Sequence, residues 1–278
     1  MTKHFILTRF NLLLWPRNKF GVCFDHDKWL EERMTLFERY CYPSVMAQDC
    51  KDFEWVLLMD EKTPRWCVDR MEELKEGCPQ MRPVFVRRTH TRQFVPVFRE
   101  VVMRDIGETD RVITTYLDND DAISRTFISE VQSAAENVPD DTVISFERGY
   151  QYFCDIRMST VVEYPDNHFI SLVESSADLR TVYGYGSHIS IGDRLAVMHI
   201  PKPGWVEVVH AGNVDNDVKM TIHTSLVTDP GTLVGEFGPS LVLDSHPRRR
   251  FVTGWIPMML RHAFIRAKQR IKGRDWWN

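Results

Sequence analysis

The sequence predicts an α/β fold: a doubly wound, mainly parallel sheet with helices on both faces, followed by hairpins and a helical C-terminal tail. Three observations predict it. Short apolar runs alternate with helically spaced segments through the first half of the 278 residues. These runs are continuously apolar, as strands covered on both faces are. Beyond Asn137, segments rich in aromatic and β-branched residues follow one another closely, which reads as antiparallel hairpins.

Each element has its own warrant. The run Phe5, Ile6, Leu7, Thr8, Arg9, Phe10 predicts a first strand. Trp29, Leu30, Met34, Phe37 and Tyr40 recur at helical spacing and predict a helix over 29–40. A second helix over 43–50 tolerates Pro43 in its first turn. The run 53–59 is a nearly continuous apolar strand that ends at Asp60 and Glu61. A helix over 65–75, a strand over 82–86 and a helical segment reaching Arg104 lead to the strand before Asp118. Strands in hairpins are predicted over 142–146 and 151–164. Glycines from Gly184 to Gly238 then mark a loop-rich region suited to a substrate site. No internal repeat or linker divides the chain. The expected organisation is one domain over 1–245, with a nucleotide-binding half of about 1–123 and an acceptor-side half of about 124–245. A basic amphipathic tail over 246–278 completes it.

Composition bounds the function. The chain is 43% apolar and 27% charged, with no apolar run near the roughly 20 residues that span a bilayer. The N-terminus enters a strand directly, without the h-region of a signal peptide. Six cysteines (Cys23, Cys41, Cys50, Cys67, Cys78, Cys154) form no CxxC pair and read as reduced thiols of a cytoplasmic protein. The net charge of −4 divides unevenly. From Arg248 onward nine basic residues face one Asp275, which makes the tail +8 and the remaining body −12. So acidic a body argues against a nucleic-acid partner.

The most informative segment is Leu117, Asp118, Asn119, Asp120, Asp121. Three carboxylates crowd within four residues at the end of a strand, where open α/β sheets place their ligands. Their mutual repulsion calls for a cation or a donor. Hard oxygen ligands suit Mg²⁺ or Mn²⁺, and through the metal a phosphate.

Two segments together resemble the family-2-like glycosyltransferases of the GT-A fold: 43–60, with Gln48, the Phe53–Glu54 strand and its terminal Asp60, and 117–123 with its acidic DxD site. Closer still is the similarity to a bacterial rhamnosyltransferase family, carried also by Thr8-Arg9-Phe10-Asn11, by 171–174 and by 205–213. The resemblance implies sugar transfer, plausibly of rhamnose from dTDP-rhamnose, with a dTDP-, UDP- or GDP-sugar donor. The acceptor would be a hydroxyl of a bacterial glycan or glycolipid, attacked with inversion. It implies Asp118, Asp120 and His210 as metal ligands. Asp121 is a further ligand or the cap of the next helix. His188 and His246 are weaker third ligands. Thr8, Arg9, Asp60, Asp118 and Asn119 would contact the nucleotide-sugar, although Arg9 equally suits a structural ion pair. The base would be Glu174, with Asp178 second and Asp155 third. Two other classes remain open on the acidic segment alone: a phosphoryl-transfer or phosphatase-like enzyme with Asp118 as nucleophile, and a non-catalytic glycan- or Ca²⁺-binding module.

The tail carries an apolar stripe from Phe251 to Ile271 among basic positions, and Trp276-Trp277 closes the chain. It either docks on the domain or lies in a membrane interface, which would place the protein peripherally at the inner face of the cell membrane.

Overall fold

The computed structural model describes residues 2–14, 25–186, 188–210, 219, 224–261 and 264. Cys23, the 211–213 end of the predicted family segment and the tail from Ile265 to Trp277 lie outside the described residues.

The first half is the predicted parallel sheet. Its strands are β1 (Thr2–Arg9), β2 (Glu54–Asp60), β3 (Met81–Val86) and β4 (Arg111–Tyr116). They stand in the order β3-β2-β1-β4, every pair parallel. Successive side chains enter different cores. Ile6, Trp55, Leu57 and Ile113 join one apolar cluster; Phe5, Leu7, Val56 and Val112 join the other. Both faces are covered, which is the physical reason these strands read as unbroken apolar runs. The first face takes α1 (His26–Leu36), α2 (Tyr42–Met46), α3 (Arg65–Gly77) and α5 (Phe127–Ala135). The second takes α4 (Phe94–Asp105) through Phe98, Val101 and Val102.

The two helices predicted over 29–40 and 43–50 are one continuous rod. A π-helical turn over Phe37–Cys41 joins α1 to α2, with the Tyr42 N–H bonded to the Phe37 carbonyl. Pro43 follows it. Proline gives no N–H to the carbonyl four residues back, and the wider turn accommodates that gap without breaking the rod.

The second half is antiparallel except for one pairing. After the two-residue β5 (Ala122–Ile123) and α5 come β6 (Thr142–Phe153), β7 (Met158–Glu163), β8 (Ile170–Ser175), β9 (Ala196–Val209) and β10 (Ser225–Leu226). Strands β6 and β7 form a hairpin, although the predicted strands 142–146 and 151–164 divide differently: 142–153 is one strand and only 158–163 forms the next. Strand β8 runs antiparallel to both β4 and β6. Strand β9 runs parallel to β6 along its whole length and pairs β5 on its other side. Close backbone approach there requires glycine: a Cβ on Gly149 would stand 2.0 Å from the Trp205 indole. That indole stacks on Phe169 at 5.0 Å and 6°. Two short helices follow, α6 (Gly231–Phe237) and α7 (Pro247–Arg250). The described cysteines Cys41, Cys50, Cys67, Cys78 and Cys154 are free, as expected. No helix among the described residues is long and apolar enough to cross a membrane.

Candidate active site

Parallel strands put their carboxyl ends on one edge, and the register fixes which residues meet there. Leu7 pairs Tyr116, Arg9 pairs Leu58 and Asp60 pairs Val86, so Arg9, Asp60 and Asp118 share that edge. Antiparallel β8 brings its beginning to the same place, because Ser171 pairs Thr115. His168, just before β8, therefore arrives at the acidic segment. The end of β9 delivers His210.

Two imidazole–carboxylate pairs result. His210 Nε2 lies 3.0 Å from Asp120 Oδ2, and His168 Nε2 lies 3.0 Å from Asp121 Oδ2. Neighbouring ligands about 2.1 Å from an octahedral ion are about 3 Å apart, so each pair has the spacing of one edge of such a shell. One ligand atom from each of Asp118, Asp121 and His168 lies within 4.8 Å of the others. Carboxylate oxygens with an imidazole nitrogen form a donor set able to hold a divalent ion.

The electrostatics differ between the pairs. Burial opposes the charge on Asp120, but Arg33, 2.5 Å away, and His210 outweigh it and hold the carboxyl well below its usual range. At Asp121 burial prevails and pushes the carboxyl up to about 7, with His168 acting against that rise. Its other oxygen accepts the Val208 N–H at 2.8 Å, which fixes the orientation of the pair. Beside Val208, buried Glu207 accepts from Gln151 at 2.7 Å and from Lys219 at 2.6 and 2.7 Å.

Arg9 is boxed in by aromatic rings. Its guanidinium lies 5.2 to 5.4 Å from the ring centroids of Phe94, Tyr116 and Tyr183 and reaches Asp118 at 3.1 Å. The ion pair anticipated as one alternative is therefore present. Tyr116 donates to both Asp118 oxygens at 3.1 and 3.0 Å. Asp60 ends β2 in a cleft of about 230 Å³ lined by Asn11, Trp29, Lys62, Thr63 and Arg88 among others. Its Oδ1 takes the Lys62 N–H at 2.8 Å and Arg88 at 3.1 Å, while Oδ2 is buried with no partner among the described residues.

Several expected residues stand elsewhere. Thr8 is fully buried and accepts from Trp55 Nε1 at 2.9 Å, since neighbours on a strand face opposite ways and Arg9 takes the site face. Asn119 braces the loop: its amide donates to the Phe10 carbonyl at 2.5 Å and accepts from Arg33 at 3.3 Å. Asp121 does not cap the next helix, which begins only at Phe127. Glu174 pairs Val112, so it lies six residues, about 20 Å of strand, from Asp118 at the opposite end of the sheet. Segment 170–175 is a strand rather than a helix, so Glu174 and Asp178 share no helix face. Asp178 follows Glu174 away from the site in a short 3₁₀ turn. Asp155, exposed in the β6–β7 turn, is nearer: Phe153 pairs Val209, and the Cys154 N–H bonds to the Val209 carbonyl next to His210. His188 approaches His168, with ring centroids 5.8 Å apart, and burial lowers it to about 4. His246 is exposed beside Ser245.

Sequence reasoning missed Arg33 and His168. Arg33 sits among helix residues whose spacing announces only an apolar face, and His168 carries no spacing signal relative to 118–121. Only the folded pairing brings either to the carboxylates.

No curated protein matches the chain by sequence. Two solved structures of S. aureus TarS bear a distant likeness. One, of residues 1–349, gives a TM-score of 0.43 at 12% identity over 75% of this chain and 60% of that one. The other gives 0.40 at 10% identity over 75% of this chain and 37% of that one. The chain thus spans less than two thirds of either structure. A family model also matches the chain. It extends over residues 17–222, from before Arg33 through the acidic segment and both histidines to beyond β9. The chain belongs to that family, the glycosyltransferase family described as "Putative rhamnosyl transferase".

Proposed function

We propose that this protein is a metal-dependent glycosyltransferase that moves a sugar from a nucleotide-diphosphate donor to a hydroxyl of a glycan or glycolipid, with rhamnose from dTDP-rhamnose as the preferred donor. The observation that carries the reading is the pair of imidazole–carboxylate contacts on Asp120 and Asp121 beside the Asp60 cleft, on one sheet edge. Asp118, Asp121 and His168, whose ligand atoms stand together, with Asp120 and His210 alongside, would hold Mn²⁺ or Mg²⁺, which supplies Lewis-acid stabilisation of a departing diphosphate. Asp60 would accept from the base or ribose through its unpartnered oxygen. Arg9 would steady Asp118 and offer its planar fork to a phosphate.

Transfer with inversion needs a base for the acceptor hydroxyl. Glu174 and Asp178 are at the wrong end of the sheet for this, and Asp155 is the exposed carboxylate beside His210, so Asp155 takes the role in this proposal. The test is a thermal-shift panel of nucleotide sugars with and without Mn²⁺, since a ligand that binds only the folded state raises its stability. A selective, Mn²⁺-dependent rise with dTDP-rhamnose is expected, and Asp155→Asn should keep that rise while losing transfer. No rise with any nucleotide sugar would overturn the proposal.

A further inference from the structure

The described tail has two apolar faces. Helix α7 continues through a π-helical turn over Phe251–Trp255 and on to Arg261. One face is docked: Trp255 is buried in a cluster with Phe153, Met158 and Val209, and Phe251 stacks on it at 4.8 Å. Gly254 permits the approach, because a Cβ there would stand 3.0 Å from Ile156. This much is an ordinary C-terminal helix closing the fold.

The other face is unusual. Val252, Ile256, Leu260 and Phe264 follow one another at four-residue intervals with exposures of 60%, 37%, 67% and 60%. A solvated helix face is normally polar, and a continuous row of large apolar side chains marks an interaction surface. Arg248, Arg249 and Arg261 are exposed around the row, whereas Arg250 turns to Asp244 at 2.9 Å. No acidic residue occurs from Pro247 to Phe264. Nothing on this face repels an anionic surface, and arginine stems can lie along apolar material while their heads remain wet.

We propose that this face lies on an anionic lipid bilayer, with the apolar row at the acyl boundary and the arginines among the headgroups. Composition and charge are those of an interfacial helix, which lies on a membrane without crossing it. Trp255 packs on Val209, the residue before His210, so the bilayer-facing helix braces the strand end that carries a candidate site residue. Resting on the transferase reading, this places the site beside a surface from which a lipid-linked acceptor can be presented.

Flotation of the full chain with phosphatidylcholine vesicles, with and without phosphatidylglycerol, tests the proposal. Binding to the anionic vesicles is expected at low salt and should weaken as salt screens the arginines. Arg248→Gln, Arg249→Gln and Arg261→Gln should each lower the partition coefficient about fivefold. Combined Val252→Ser, Leu260→Ser and Phe264→Ser should abolish binding without changing the melting temperature, since these side chains are exposed. A wild-type chain that stays unbound at low salt, or a triple-serine variant that floats like wild type, would overturn it. So would a concentration-dependent dimer that the triple variant abolishes in the absence of vesicles, because the face would then belong to a second copy. The nucleotide-sugar thermal shift is read on the same samples. Its absence in wild type defeats the transferase reading while leaving the vesicle result standing.

Discussion

Asp120 and Glu174 are both deeply buried carboxylates at ends of the same sheet, and they behave in opposite ways. Arg33 and His210 keep Asp120 ionised against its burial. At the other end burial raises Glu174 to about 7, against the N–H groups of Arg180 and Thr181 at 3.0 and 2.9 Å and the charge of Arg180. Similar removal from water gives different charge states because the cations bonded to Asp120 outweigh its burial, whereas the dipoles and the more weakly acting Arg180 beside Glu174 do not. Burial alone therefore does not identify a functional acid; its counter-charges and its end of the sheet do.

The contrast breaks most decisively in activity. Asp120→Asn should lower sugar transfer at least about a hundredfold, whereas Glu174→Gln should leave turnover at the wild-type level. Side-by-side transfer assays check this, and a reversed order would put the working edge at the opposite end of the sheet. Stability sharpens it next. Folded Glu174 keeps its proton up to about 7, while in the unfolded chain it loses it near 4.5. Across that window the native state binds more protons, so this group's contribution falls as pH rises and is flat above it. Glu174→Gln removes the titration and should gain on wild type by on the order of 2 kcal/mol between about pH 5 and pH 8, read from urea midpoints at both pH values. The smallest effect compares strand neighbours. Thr8→Val should cost about 1 kcal/mol by stranding Trp55 Nε1, with no change in donor KM. Arg9→Lys should raise donor KM, because a lysine loses the fork that holds Asp118.

What could be read in advance follows the same division. Strands β1, β2 and β4 and the acidic edge were legible because strands covered on both faces must be apolar throughout, and parallel strands must end together. The Asp118–Asp121 segment needed no further information to be placed. The direction of β8 was not legible. Residues 170–175 are apolar at alternate positions in either direction, and only antiparallel pairing with β4 brings His168 to the site and carries Glu174 away. Likewise, the docked helix of the tail could be inferred from Phe251 and Trp255, but that Val252 and Leu260 remain exposed is a property of the packing.

Strand β9 has a consequence for synthesis. It inserts between β5 and β6, so residues made early wait for residues made late: Asp121 for the Val208 N–H and Asp120 for His210. A chain emerging at about 5–20 residues per second exposes three neighbouring carboxylates for several seconds before β9 arrives. A ribosome-bound chain ending before β9 should show protease cleavage around 118–121 that disappears once residues through 210 have emerged.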